Sequence, residues 1–339
     1  MEESRTKYFC LMICFIVGAC FLYSFTPSLL RNLPSIKSNK SNYTNHSKPL
    51  LINGVVCTLM RNEAQYVREW VSFHLILGAN FFVIYDDNST DGLNQIVQGF
   101  GERVKVIPWG QNNTDQREHV QGRRQVTAAR HCVSNYGTLT SWIAFIDVDE
   151  FVWPCQRDSN LLDYHIKRVN TPSIRLDCFK FGTGYPDRTQ LPSELTVEKH
   201  ILRAPYRMMN ENYANITKNL HECRANNNNC ASEGGWKYIY FTNYGKQKFY
   251  QTIKNTISVH GSGAPFKRGT TDRRQGICCN HYGVRSTEFL FKKAIKNRNP
   301  ALTTSAKSNH SKLFYNSIHD ILIWQYLPTL KNFLNIYRF

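Results

Sequence analysis

Three short apolar runs constrain this chain more than any other feature: residues 55–60 (VVCTLM), 81–85 (FFVIY) and 142–146 (WIAFI). Runs without polar alternation suit strands buried on both faces, as in a parallel sheet covered by helices. Between the first two lies a stretch of helical period, with Val67, Trp70, Val71 and Leu75 on a broad apolar stripe. Strand, helix and strand make a βαβ unit. A third short strand is expected at 104–108. Residues 117–135 read as another helix, apolar through Val126, Ala129, Cys132 and Val133 and basic through Arg123, Arg124 and Arg130. The expected fold class is α/β, with a central mixed, mostly parallel sheet.

Each of the two later runs ends in acidic residues. After residue 85 come Asp86-Asp87-Asn88-Ser89-Thr90-Asp91-Gly92, residues that make a turn and cap the helix that follows. Ligands of open α/β sheets bind beyond the carboxyl ends of the strands, where these carboxylates can accept from nucleobase N–H groups or ribose hydroxyls. A capping turn alone is the plainer alternative. After residue 146 come Asp147-Val148-Asp149-Glu150. Side chains at i and i+2 of a strand share a face, so Asp147 and Asp149 are expected to reach one ion together. Two hard carboxylates and phosphate oxygens suit Mn2+ or Mg2+. Such an ion neutralises a diphosphate leaving group.

Residues 8–25, YFCLMICFIVGACFLYSF, carry no charge. As a helix they span ~27 Å, close to a bilayer core. Arg5 and Lys7 precede them, which favours a cytosolic N-terminus and a signal anchor; a cleaved signal peptide is the alternative. Residues 26–50 are rich in Pro, Ser, Asn and Lys, a flexible stem with sequons at Asn39, Asn42 and Asn45. The expected division is a cytosolic tail (1–7), the anchor (8–25), the stem (26–50), a folded domain (51–299) and a C-terminal segment packed on it (300–339).

The net charge of +17 attracts anions in general. No zinc-finger spacing, RNP-like strand or Arg-rich arm accompanies it, so no nucleic-acid partner is expected. Eleven cysteines are present; three lie in the anchor and eight beyond it. Eight suit disulfides in an oxidising lumen, and Cys223 with Cys230 brackets a polar loop that one bridge would close.

The segments RNEAQYVREWVSFHLILGANFFVIYDDNSTDG and FIDVDEF resemble glycosyltransferase family 92 of the GT-A class. Arg61-Asn62-Glu63, Glu69-Trp70 and Asp87–Asp91 match its opening pattern. FGTGY (181–185), GGWKYIY (234–240), SVHG (258–261) and NHYGVRSTEFLFKK (280–293) resemble its later segments. The likeness runs over about residues 53–296, tight in the first half and looser in the second. It implies a single GT-A nucleotide-sugar-binding domain in a type II Golgi membrane protein, its catalytic part lumenal. It further implies inverting transfer from a nucleotide-sugar, with galactose from UDP-galactose to a glycan hydroxyl as the theme.

On that footing Asp147 and Asp149 both contact metal and donor diphosphate, with Asp149 favoured as a direct ligand. His260 is a candidate third ligand, with a hydrogen-bonded core histidine as the alternative. Arg61, Asn62, Glu63, Asp86, Asp87, Asp91, Lys237 and His281 are candidate donor contacts. For Glu63 and Asp91 helix starting and capping are the alternatives, for Lys237 an exposed strand position, and for His281 a structural role. Inversion needs a general base, normally a carboxylate; Glu198 falls in a matching segment, with Asp187, Glu211 and Glu233 as rivals. A non-catalytic lumenal binding protein on the same fold is the second reading. A nucleotidyltransferase fits less well, because VVCTLMRNEA lacks a glycine-rich phosphate loop.

Overall fold

The computed structural model describes residues 52–110, 123–154, 173–183, 187–203, 236–241, 269–271, 277–286, 288 and 318–336. In chain order these form β1 (Ile52–Met60), α1 (Ala64–Ile76), β2 (Phe81–Asp86), α2 (Leu93–Gln98), β3 (Val104–Pro108) and α3 (Arg123–Tyr136). There follow β4 (Thr140–Phe145), β5 (Glu150–Pro154), β6 (Ser173–Lys180), α4 (Thr196–Lys199), β7 (Leu202–Arg203) and β8 (Trp236–Phe241). The last elements are β9 (Gly269–Thr271), β10 (Ile277–His281), β11 (Ile318–His319) and α5 (Leu327–Ile336).

One sheet runs β3-β2-β1-β4-β8-β6-β10-β5, with β9 also on β6. β3, β2, β1 and β4 pair in parallel. β8 lies antiparallel to both β4 and β6, and β10 pairs parallel to β6 and antiparallel to β5. The sheet is therefore mixed and mostly parallel, as the apolar runs require. Their residues alternate between two cores. Val56, Phe82, Ile84, Trp142 and Ala144 meet α1, while Val55, Cys57, Val83, Tyr85, Ile143 and Phe145 meet Ala128, Ala129, Cys132 and Val133 of α3. Burial on both faces is why the runs carry no polar alternation.

Disulfides stitch the sheet. Cys57 of β1 joins Cys132 of α3, and Cys178 of β6 joins Cys279 of β10. Cys278 is also disulfide-bonded. The expected Cys223–Cys230 bridge lies outside the described residues, as do residues 8–25. Among the described residues no helix is long and apolar enough to cross a membrane.

Helix α1 is buried almost all round, because residues 318–336 cover the side that the sheet leaves open. Arg68 of α1 donates to the Leu334 carbonyl at 2.9 Å, Trp324 Nε1 to the Val197 carbonyl at 2.9 Å, and Tyr326 Oη to the Pro154 carbonyl at 2.8 Å. Polar groups of α1 must then find partners inside the protein. Glu69 accepts the Thr196 and Val197 amides at 2.7 and 3.0 Å, serving as the N-terminal cap of α4. His74 donates from Nδ1 to the Trp70 carbonyl at 2.9 Å and accepts the Val152 amide on Nε2 at 3.1 Å. That pair of bonds fixes a neutral imidazole.

Burial lowers the His74 pKa from 6.5 to about 4, and burial lowers that of His200 to about 3. The unfolded chain takes up protons below pH 6.5 that the folded chain refuses, so stability falls as pH drops from about 6.5 toward 4. Urea unfolding across that window should show a falling midpoint, with a shallower slope in His74→Leu. An unchanged slope in the variant would contradict the assignment.

Candidate active site

The parallel strands β1, β2 and β4 deliver three loops to one edge of the sheet. The first two are sewn together by backbone and short side chains. Asn62, in the left-handed region at φ 56°, donates its amide to Ser89 Oγ at 2.9 Å and accepts the Thr90 amide on Oδ1 at 2.8 Å. Asp86 Oδ1 accepts the Ser89 amide at 2.9 Å, and the Asp87 amide donates to the Met60 carbonyl at 2.9 Å. Asn88 is also left-handed, at φ 57°. A Cβ on Gly110 would stand 2.2 Å from its side chain, so any other residue there would displace it.

One expectation is corrected. Asp91 does not cap the helix that follows it: the N-cap of α2 is Gly92, with no side-chain cap. Asp91 Oδ2 instead accepts the Ala64 amide at 2.8 Å, capping α1. Asn62, Asp86 and Asp91 therefore shape the loop pair. Asp87 is ion-paired with Arg124 of α3, so the basic side of that helix meets this loop rather than bulk water alone. Arg61 is exposed at the rim.

The second correction concerns Asp147 and Asp149. Strand β4 stops at Phe145, so the two aspartates do not lie two apart on a strand. They occupy a turn in which the Glu150 amide donates to the Asp147 carbonyl at 2.9 Å and the Asp147 amide to Glu150 Oε2 at 2.8 Å. Trp70 Nε1 donates to the Glu150 carbonyl at 2.8 Å, fastening the turn to α1. Asp147 lines a small cavity with Thr58, Leu59, Tyr85 and Gln125. Asp149 is buried, and its carbonyl accepts the Tyr282 amide at 2.7 Å.

Lys237 is not an exposed strand lysine. It is 1% exposed, with Nζ 2.7 Å from Asp147 Oδ2 and 3.3 Å from Glu150 Oε2. Burial acts to lower its pKa, but the Asp147 and Glu150 carboxylates outweigh it and the pKa rises; the amine stays charged. Burial pushes the Glu150 pKa up, against the opposing pull of Lys237.

His281 ends β10 opposite Glu150 in register, which brings its Nε2 to 3.7 Å from Asp149 Oδ1. A Cβ on Gly283 would come within 2.7 Å of that nitrogen, so glycine leaves the ring its place. Two residues on, Arg285 is buried, donates to Glu63 Oε2 at 2.9 Å and lies over the Tyr66 ring at 3.4 Å. Glu63 is thus a partner of Arg285 as well as the start of α1. Arg285 was missed in the sequence although it sits inside NHYGVRSTEF. The available signal was Glu63 itself, a carboxylate at the mouth of a buried helix that needs a cation.

Glu198 is not brought to this edge. Its carboxylate pairs with Lys331 Nζ at 2.6 Å and lines a separate cavity of about 400 Å³ with Gln65, Arg68, Glu194 and Leu334. That cavity shares no lining residue with the one at Asp147. His260, Glu211 and Glu233 lie outside the described residues, and Asp187 is exposed.

Among the described residues no three His, Cys, Asp or Glu side chains converge as a ready-made metal cage. The donor chemistry nevertheless fits a divalent ion shared with a ligand. A carboxylate and an imidazole face each other at 3.7 Å, and Mn2+ or Mg2+ takes its remaining oxygens from phosphate and water.

The profile of glycosyltransferase family 92 matches residues 55–263, more than half of the chain. A family 92 protein of Oryza sativa subsp. japonica is 29% identical over 173 residues, 48% of this chain and 27% of that protein. One of Ricinus communis is 26% identical over 188 residues, 49% of this chain and 31% of that protein. Each match takes in less than a third of the relative's length. A solved glucosyl-3-phosphoglycerate synthase from Mycobacterium tuberculosis, in complex with Mn2+, UDP and glucosyl-3-phosphoglycerate, aligns at a TM-score of 0.28 and 13% identity. That alignment covers 59% of this chain and 63% of that one.

Gly283→Ala is expected to push the His281 ring away from Asp149. Mn2+ affinity should fall by about 10-fold, the loss typical of disturbing a ligand's support, with little change in melting temperature. Unchanged Mn2+ binding would show that the ring position is immaterial.

Proposed function

The chain belongs to glycosyltransferase family 92, and from that premise we propose that it is a metal-dependent, inverting glycosyltransferase. It moves a hexose, galactose from a UDP-linked donor, to a glycan hydroxyl. The observation that carries this reading is the Asp147–Glu150 turn, set at the carboxyl edge of the parallel strands beside the Asp87 loop and faced by His281. Nucleotide ligands of α/β sheets bind at that edge.

Asp149 with His281 would hold a divalent ion, Mn2+ or Mg2+, which when bound would supply charge to offset the departing diphosphate. The remaining work falls to the chain's own groups. Asp147, steadied by Lys237, keeps an exposed side toward the donor. The Asn62–Thr90 and Asp86–Ser89 bonds hold the adjoining loop in shape before the donor arrives, so little ordering remains to be done on binding. Glu198, tied to Lys331 and turned to another cavity, is a poor base. The proton of the acceptor hydroxyl passes to another carboxylate, for which Asp187, Glu211 and Glu233 stand in the sequence.

The lumen of the secretory pathway, specifically the Golgi, is the proposed location, with residues 8–25 as a type II anchor. The disulfides Cys57–Cys132 and Cys178–Cys279 support an oxidising compartment, and the stem sequons agree with it.

The test is a screen of UDP-sugars with the full chain in detergent, with Mn2+ or EDTA, beside Asp149→Ala. Turnover of one donor is expected, falling to background in EDTA and in the variant. A folded sample that neither turns over nor binds UDP would overturn the reading and favour a non-catalytic binding protein.

A further inference from the structure

The acidic turn carries its own cation. β8 runs antiparallel to β4 with Tyr238 opposite Phe145, so Lys237 is set one step beyond the end of β4, where the turn begins. A lysine withdrawn from water is tolerated only when carboxylates pair it, and this one meets two: Asp147 at 2.7 Å and Glu150 at 3.3 Å. Glu150 Oε2 also accepts the Asp147 amide at 2.8 Å. Ammonium, two carboxylates and the turn backbone therefore close into a ring. Asp149 Oδ1 instead faces the His281 ring, with Nε2 3.7 Å away. The two aspartates thus face different side chains, Asp147 the Lys237 ammonium and Asp149 the His281 imidazole.

We propose that Lys237 is a positioning residue, the permanent counter-ion of Asp147. It keeps that carboxylate out of the metal's coordination and holds residues 147–150 in their working shape before any ion or nucleotide arrives. What concerns the metal rests on the function proposed above; the ion pair does not. Lys237 then acts on the donor only through Asp147, rather than as the direct diphosphate contact expected from the sequence.

The experiment uses the full chain without nucleotide and has two arms. In EDTA, melting temperatures are compared for the wild type, Asp147→Asn, Lys237→Met and the double variant. Each single change is expected to lower the melting temperature, and the double to fall no further than the worse single, the mark of a coupled pair. A purely additive drop overturns the pair. In the second arm, Mn2+ binding is followed by the electron paramagnetic resonance of the free ion. Asp147→Asn should keep wild-type affinity while Asp149→Asn loses it.

Lys237→Met should bind Mn2+ several-fold more tightly, because it releases Asp147 to the ion; a merely structural lysine would leave the affinity unchanged or weaker. Loss of Mn2+ in Asp147→Asn comparable to that in Asp149→Asn would make Asp147 a ligand and end the proposal. Should Lys237→Met not fold, Asp147→Asn still decides, because it breaks the same pair from its other end. A wild type that binds no Mn2+ would overturn the metal-dependent function and the metal clause together, while the EDTA comparison still judges the ion pair.

Discussion

Helix α1 is enclosed by the sheet on one side and by the C-terminal residues on the other, and a buried polar group without a partner costs about 1–3 kcal/mol. Several polar side chains on and beside it therefore reach different parts of the chain. Glu63, at its mouth, takes Arg285; Glu69 caps α4; Trp70 holds the Glu150 carbonyl; His74 supplies an acceptor to β5. The Glu69-Trp70 pair is therefore structural. One residue anchors the region after β6, and its neighbour anchors the turn that bears Asp147 and Asp149. The candidate site and the scaffold thus share adjacent fastening residues on α1.

The same logic of enclosure governs the acidic turn. Two carboxylates beside a buried backbone repel each other, and Lys237 resolves this from the neighbouring strand. His281 and Arg285 come from the segment that leaves β10, and the Cys178–Cys279 bridge ties that strand to β6. Cys279 lies two residues from His281 on the same strand. On the other side, Cys57–Cys132 holds α3 against β1, and α3 in turn carries Arg124 to Asp87.

Much of the fold was legible because the strands are buried on both faces: 55–60, 81–85 and 142–146 announce themselves as unbroken apolar runs, and each is a strand or most of one. The Asp-x-Asp stood out in the sequence as a motif, but its geometry did not, since periodicity cannot show that β4 stops at Phe145. What stayed hidden was long-range pairing. Asp91 caps a helix 27 positions upstream, Lys237 reaches back 90 positions to Asp147, and Arg285 reaches back 222 to Glu63. Glu198 looked available for catalysis because its partner Lys331 lies 133 positions away. Local spacing carries none of these, because each depends on strand order and on where the C-terminal residues come to rest.

The central claim is that donor and ion meet at the turn between β4 and β5. A crystal structure of the chain with Mn2+ and UDP tests it most directly. The account predicts the ion on Asp149 and His281, the diphosphate beside it at the turn, and Lys237 still on Asp147. Nucleotide seated instead in the cavity of Glu198 and Lys331, with the turn empty, would contradict it.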